Sequence, residues 1–295
     1  MINDYANLAV SPHAWFANRV AVLATMHQKE RVIAPLLKRA IGVDVVVPEQ
    51  LDTDVFGSFT RDRDRPGTQL EAARLKALTA LDQADATLAI ASEGAFGPHP
   101  SFPAIAANRE LVVLLDLQHD LEIVGEVVSL NTNYRHQAIH SLEEAWAFAS
   151  QVGFPEHGLV LMPDTDAKHN IIKGIRTGEA LKNALTTLLR QSNGQGSIHI
   201  ETDMRAMHNP TRMAVIEQAT QELIRAIQRY CTNCGAPGLQ LVERRSGLPC
   251  DLCGLPTALT DSVIYRCQKC DVQQEIRFPD GWQAADPGQC PYCNP

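Results

Sequence analysis

The first 230 residues contain no cysteine, and no apolar run in the chain approaches the ~20 residues that a membrane-spanning helix needs. The N-terminal segment also lacks the basic stretch followed by an apolar one that is typical of a secretory signal. We therefore expect a cytoplasmic protein with no membrane partner. Excess positive charge is missing too, because the net charge is -8. Binding of nucleic acid mainly through its phosphates is disfavoured.

What is present is an ordinary globular composition in 295 residues, enough for one good-sized core and a smaller module. Apolar, β-prone runs at 19–25, 43–48 and 86–92 alternate with helical patterns, and polar loops follow them. The third run leads into a Gly and Pro loop at 93–100. This order predicts an α/β sheet with its loops gathered at strand ends.

Further strands are predicted at 110–116, 121–129, 157–163 and 198–202. Capping patterns mark three helix starts: Thr68 with Glu71, Ser141 with Glu144, and Asn209 before Pro210. We divide the chain into an N-terminal extension (1–18), an α/β domain (19–192), a strand-loop-helix connector (193–230) and a cysteine-rich module (231–295).

All eight cysteines lie in that last module, in four Cys-x-x-Cys pairs separated by 15, 13 and 19 residues. Two such pairs supply the four thiolates of a tetrahedral zinc site, and disulfides are disfavoured in the cytosol. We predict two structural zinc ions in tandem ribbon-like sites. Pairing in sequence joins Cys231, Cys234, Cys250 and Cys253 in one site and Cys267, Cys270, Cys290 and Cys293 in the other. An interleaved, cross-brace pairing is the alternative.

The module has five Lys or Arg residues against seven Asp or Glu residues, and each four-thiolate site adds about two further negative charges. This balance favours a structural role or contact with a protein partner over nucleic acid. The sequence leaves the oligomeric state open, a homodimer included.

Three loops of the α/β domain carry polar side chains suited to phosphate or metal. The first contains Thr25, His27 and Lys29, the second begins a helix with Thr68 and Glu71, and the third holds Ser92 and Glu93. Helix-start amides and Lys29 attract phosphate oxygens, while a carboxylate after a buried strand binds metal or orients water. Each loop also has a plainer interpretation as a solvated turn, a helix cap or a surface acid.

Together these loops resemble the superfamily of inosine and xanthosine triphosphate pyrophosphatases and the related Maf nucleotide pyrophosphatases. The resemblance covers about residues 19–190 and rests on VLAT (22–25), GTQLEAARLKA (67–77), AIASEGAFG (89–97) and VGFPEHGLVLMP (152–163). The whole chain also resembles a bacterial family that joins such a domain to a cysteine-rich C-terminus.

The resemblance implies an elongated mixed-sheet fold with a cleft, in which magnesium and a basic loop hold a nucleoside triphosphate. Water then attacks, and pyrophosphate and a monophosphate are released. By position, Thr25, Lys29 and Lys76 would contact phosphate and Glu71 would bind metal. Glu93 would bind metal or act as the base.

A polar motif at 202–213, TDMRAMHNPTRM, crowds the junction of a strand and a helix. Asp203 is a further candidate metal ligand or catalytic acid, and Arg205 and Arg212 could clamp a phosphate. The alternative is an Arg and Asp network that docks the zinc module.

Two functions follow as hypotheses. The first is a magnesium-dependent nucleotide hydrolase that releases pyrophosphate. The second is a non-catalytic nucleotide sensor or adaptor whose zinc sites bind a protein partner.

Overall fold

The computed structural model describes residues 13–49, 51, 67–165, 167, 169–191 and 197–295. Most of the predicted loop before Gly67, the linker at 193–196 and the start of the N-terminal extension lie outside these residues. The chain forms two compact units. One unit is Phe16–Ile224, and the other is Arg225–Pro295 together with the described chain start up to Trp15.

The larger unit begins with a five-stranded mixed sheet in the order β2-β1-β3-β4-β5. Strand β1 is parallel to β2 and β3, whereas β3, β4 and β5 form an antiparallel meander. The short helix α1 (His13–Phe16) precedes this unit in the chain and ends at its first residue. The elements that follow are β1 (Val20–Ala24), α2 (Glu30–Ile41), β2 (Asp44–Val46), α3 (Gln69–Ala84), β3 (Leu88–Pro98), β4 (Ala106–Asp116) and β5 (Leu121–Ser129).

Helix α3 packs against one face of this sheet through small side chains. Ala73, Ala77 and Ala80 are completely buried in a cluster with Val22, Ala91 and Val113. Because alanine side chains are short, the helix backbone approaches the strands closely. The predicted capping box at its start is present: the Thr68 hydroxyl accepts from the Glu71 amide, and the Glu71 carboxylate accepts from the Thr68 amide.

Strand β3 is longer than predicted, because the presumed Gly and Pro loop after Ser92 continues as strand to Pro98. Its partner β4 runs alongside over this whole length, from Leu88↔Asp116 to Pro98↔Ala106. Strand β1 stops earlier, since its last paired residue is Ala24, opposite Ala91. Beyond Ala91, β3 therefore has no strand partner on its β1 side among the described residues. The parallel part of the sheet ends at this position.

The same unit contains a four-stranded antiparallel sheet in the order β6-β9-β7-β8. Its elements are β6 (His136–Ile139), α4 (Leu142–Gln151), β7 (Leu159–Met162), β8 (Ile172–Ile175), α5 (Gly178–Gln191), β9 (Ile198–Thr202) and α6 (Pro210–Ile227). Helices α4 and α5 bury this sheet's apolar face. Because β9 lies inside the sheet, the segment assigned to a connector supplies an interior strand.

The second unit contains the three-stranded antiparallel sheet β10 (Gln240–Ser246), β11 (Thr260–Arg266) and β12 (Gln273–Arg277). Mixed α/β architecture followed by a small C-terminal cysteine module is therefore confirmed. In the described part of the chain, no helix has the length and apolar character to cross a bilayer.

Candidate functional site

The eight cysteines form two clusters of four, and in each the Sγ atoms lie within 4.8 Å of one another. The clusters are Cys231, Cys234, Cys267 and Cys270, and Cys250, Cys253, Cys290 and Cys293. The pairing is interleaved, which is the cross-brace alternative that the sequence left open, and the pairing in sequence does not occur.

Sheet topology gives the reason for the interleaved pairing. Strands β10 and β11 are antiparallel, with Gln240 opposite Arg266, so the knuckle before β10 meets the knuckle after β11. The knuckle between these strands lies at the other end, where β12 also finishes, with Ser262 opposite Arg277. The last knuckle arrives there after β12, and Cys250 forms a bridge with Ala285.

The sulfur distances fit a tetrahedral metal. Sγ atoms lie 3.6 Å apart for Cys231 and Cys270, and 3.7 Å apart for Cys253 and Cys290. Four thiolates at the usual Zn–S length of about 2.3 Å are about 3.8 Å apart, whereas a disulfide bond is about 2 Å. Each cluster could hold a zinc ion, and four protein ligands leave no open position for catalysis.

The second candidate site lies in the larger unit, where β1 ends beside the continuing β3. Lys29, in the β1–α2 loop, is buried, and its Nζ donates to Ser92 O at 2.9 Å and to Ser92 Oγ at 3.0 Å. In the part of the chain that the structure describes, Lys29 forms no ion pair: both partners are neutral oxygens. Burial, followed by repulsion from Arg212, lowers the pKa of Lys29 to about 7.

Two further buried cations lie near Lys29, each paired with an acid. The Lys76 ammonium, from α3, contacts the Glu93 carboxylate on β3. Arg212, from α6, donates through Nε to Glu110 Oε1 at 2.7 Å, and both of these side chains are 0% exposed. The cluster therefore contains three buried cations against two buried acids.

Gly94 is required for the close approach of the second pair. A Cβ at this position would lie only 2.6 Å from an Arg212 terminal nitrogen and would also overlap the Glu110 carboxylate. Gly94 is opposite Glu110 in the β3–β4 register. The Gly residue thus leaves the space in which the arginine crosses the strand.

His27 experiences all these charges. Burial, then Lys29, Arg212, Arg205 and Lys76, lowers the pKa of His27 to about 2, so the imidazole is neutral at physiological pH. The His27 amide donates to the Thr25 hydroxyl at 3.1 Å, which shapes the turn. The loop carrying Thr25, His27 and Lys29 therefore meets β3 at Ser92, beside one more buried cation than buried acids.

Asp203 is committed to local contacts. Its carboxylate accepts from the Arg205 guanidinium at 2.7 Å and from the Gly174 amide at 3.0 Å. Arg205 is partly exposed and contributes to the positive potential at His27. The predicted cap of α6 is confirmed, since Asn209 Oδ1 accepts from the Arg212 amide at 2.9 Å.

Glu71 is an exposed helix-capping residue. The hydrogen bond from the Thr68 amide, 2.7 Å from Glu71 Oε2, lowers the pKa of the Glu71 carboxyl. Among the described residues, the two cysteine clusters are the only groups of three or more metal-binding side chains. Glu71, Glu93 and Asp203 each have a protein partner and do not by themselves make a magnesium site, so we derive no step through that ion.

Sequence reasoning missed Glu110 and Gln69. Glu110 was assigned only to a strand, and it is the last of three consecutive polar residues, Asn108, Arg109 and Glu110, of which the first and third are buried. Gln69 donates to the carbonyls of Glu93 at 2.7 Å and Arg109 at 2.8 Å, which ties α3 to both strands. The sequence shows that Glu110 is buried in an ion pair only if its cationic partner is known. That partner, Arg212, lies 102 residues further along the chain.

The class defined here is a mixed α/β protein with a buried cationic cluster at its strand ends and a separate unit carrying two four-cysteine clusters. The family model described as Domain of unknown function (DUF6671) matches residues 76–295, and the chain belongs to this family. The match contains Glu93, Glu110, Arg212 and every cysteine, and it begins after Lys29 and Glu71. No curated protein matches the chain.

Proposed function

We propose that the Phe16–Ile224 unit binds the phosphate groups of a nucleotide at Lys29, Lys76 and Arg212. The observation that carries this proposal is the burial of Lys29 without a counter-ion in the described chain. Burying an ammonium group without a counter-ion costs free energy. A bound anion offsets this cost, because it stabilises the charged form of the lysine. A phosphate chain supplies several negative oxygens within one ligand, which suits three clustered cations.

The position of the cluster supports the same ligand. Lys29 follows the parallel strand β1, and Ser92 lies where β3 continues past it. Ligands of open α/β sheets bind outside the carboxyl ends of such strands. The resemblance to inosine and xanthosine triphosphate pyrophosphatases, which includes VLAT and GTQLEAARLKA, favours a nucleoside triphosphate, and a cleft beside this edge belongs to the proposal.

Hydrolysis with release of pyrophosphate is the activity that we propose at this site. The ligand's phosphates compete with Glu93 for Lys76, so binding releases the Glu93 carboxylate from its ion pair. A freed carboxylate accepts the proton of a water that attacks the phosphorus nearest the ribose. The bond to the leaving pyrophosphate oxygen then breaks, and a monophosphate remains.

The test is turnover of a nucleotide panel, supplied as magnesium complexes, by the purified chain and by Glu93→Gln. Pyrophosphate release that falls at least ~100-fold in Glu93→Gln is the expected result for a lost general base. Glu122→Gln is the matched control, because Glu122 pairs with Arg74 outside the cluster. Equal turnover by wild type and Glu93→Gln removes Glu93 from the reaction.

The second candidate is a nucleotide sensor without catalysis, whose zinc unit binds a protein partner. It is favoured by the pairing of Glu93 and Asp203 with basic residues of the protein itself. It is also favoured by apolar side chains exposed on two knuckles of one four-cysteine cluster, Leu252 and Tyr292, which are 73% and 63% exposed. Nucleotide binding without turnover, with partner binding lost in Leu252→Ser/Tyr292→Ser, would support this candidate.

A further inference from the structure

Asn108 lies on the same sheet face as the Glu110–Arg212 pair. It precedes Glu110 by two residues on β4, so both side chains point to one side of the sheet. Opposite them on β3, Phe96 is paired with Asn108 and Gly94 with Glu110. The Phe96 ring in turn lies 5.4 Å from the Arg212 guanidinium carbon. The Glu110–Arg212 pair and Asn108 are therefore neighbours on one face of the sheet.

The Asn108 side chain is 1% exposed, and neither its Oδ1 nor its Nδ2 has a hydrogen-bond partner in the described chain. A buried carboxamide left in this state is destabilising. The neighbouring polar groups differ: Glu110 is bonded to Arg212, and Arg212 also donates to Met204 O. Packing alone does not require an amide, because leucine has nearly the same shape without the unbonded atoms.

A carboxamide presents a hydrogen-bond acceptor and a donor side by side. This is the complement of a nucleobase edge that offers an adjacent donor and acceptor, as in the bidentate contact of asparagine with adenine. Two partly exposed aromatic rings lie beside the position: Phe96 and Tyr134 are stacked, with ring centroids 5.9 Å apart. Such rings provide the apolar surface on which bases stack.

The spacing also suits a nucleotide. Two residues along a strand span about 7 Å, so Asn108 lies about one sugar's length beyond the Glu110–Arg212 pair. Phosphates held by Lys29 and Arg212 would direct the rest of the ligand along the β3–β4 hairpin. Because the Asn108 amide is closed off from solvent, the base reaches it only when neighbouring side chains move aside.

We infer that Asn108 is a specificity-determining residue that hydrogen-bonds the edge of the nucleobase, next to Phe96 and Tyr134. The inference rests on the proposed phosphate site. It adds that the ligand carries a base and that this side chain distinguishes it from a bare phosphate chain.

The experiment compares inorganic tripolyphosphate with α,β-methylene triphosphates of adenosine, inosine, guanosine and uridine by calorimetric titration. Wild type is expected to bind at least one nucleotide analogue more tightly than tripolyphosphate, by on the order of tenfold. Asn108→Leu is expected to keep the tripolyphosphate affinity and to lose that tenfold preference. Asn183→Leu, at an exposed position of α5, is the control and should behave as wild type.

The outcomes separate the two proposals. If Asn108→Leu keeps the wild-type preference for the nucleotide, the inference about Asn108 is overturned while the phosphate site stands. If wild type binds neither tripolyphosphate nor any analogue, the proposed function fails and the inference falls with it. Asn108→Asp, which keeps the shape and replaces the donor by an acceptor, is expected to change the order of preference among the four bases. An unchanged order also contradicts the inference.

Discussion

Arg212 Nε lies 2.7 Å from Glu110 Oε1, and solvent reaches neither side chain. This pair connects α6 to the middle of β4, although 102 residues separate its members in the chain. The Arg212 guanidinium also donates to the Met204 carbonyl, so both of its ends are bonded. The contact therefore joins the TDMRAMHNPTRM motif to the large sheet and fixes one of the three cations of the cluster.

Removing one member of this pair is expected to be far worse than removing both. Arg212→Met leaves the Glu110 carboxylate buried without its counter-ion, and we expect a loss of about 3–5 kcal/mol in the free energy of unfolding. The double variant Arg212→Met/Glu110→Met should recover most of that loss. Urea denaturation of Arg212→Met, Glu110→Met and the double variant completes the cycle, and strictly additive losses would show that the pair is not coupled.

The stability conferred by Lys29 should depend on pH. Its pKa is about 7 in the folded chain and 10.5 as the ordinary value, so between these values the unfolded chain binds more protons. Wild-type stability therefore gains from this group as pH rises from 7 to 10.5, by on the order of 4 kcal/mol in total. The free energy of unfolding of Lys29→Met, relative to that of wild type, should be highest near pH 6 and should fall toward pH 10. A difference that stays constant, as we expect for the exposed Lys38→Met, would contradict this assignment.

Binding of a phosphate ligand should be accompanied by proton uptake. A nearby anion favours the charged form of Lys29, so its pKa rises on binding. At pH 8 most Lys29 side chains of the ligand-free protein are neutral amines, because their pKa is about 7. In the complex with the phosphate ligand they are protonated again. Calorimetry in buffers of different ionisation enthalpy measures this uptake, which we expect to approach one proton. Weak residual binding by Lys29→Met should proceed without it.

The interleaved cysteine pairing predicts the metal content of two quadruple variants. Serine at Cys231, Cys234, Cys267 and Cys270 removes one complete site, so one zinc per chain should remain. Serine at Cys231, Cys234, Cys250 and Cys253 removes half of each site, so none should remain. Metal analysis of the purified variants gives both numbers. The reverse result would require the pairing in sequence.

Local signals predicted the local structure well. The Thr68–Glu71 capping box, the cap at Asn209 and the strands at 121–129 and 198–202 each depend on residues within one turn or one strand. The predicted end of strand β3, at residue 92, came too early, because Gly94 and Gly97 suggest a loop. Its continuation to Pro98 depends on β4, which supplies a hydrogen-bonding partner throughout.

Tertiary pairing was the part that the sequence did not reveal. Any two Cys-x-x-Cys knuckles have the local geometry to share an ion, and only the antiparallel order of β10, β11 and β12 decides which two meet. Likewise, the sequence placed Lys29 and Ser92 at neighbouring strand ends, but it did not reveal that Glu110 forms an ion pair with Arg212. Those two residues meet because α6, which comes much later in the chain than β4, packs against the sheet.

The most direct test of the account is the binding of a nonhydrolysable triphosphate, such as a uridine or inosine α,β-methylene analogue, to wild type, Lys29→Met and Lys38→Met at pH 7. Lys29 and Lys38 lie at opposite ends of the same helix region, the first buried and the second exposed. We predict that Lys29→Met lowers the affinity at least ~30-fold, the loss expected for a charge-assisted bond of about 2 kcal/mol. Lys38→Met should bind as wild type does. Equal binding by all three proteins would contradict a phosphate site at Lys29.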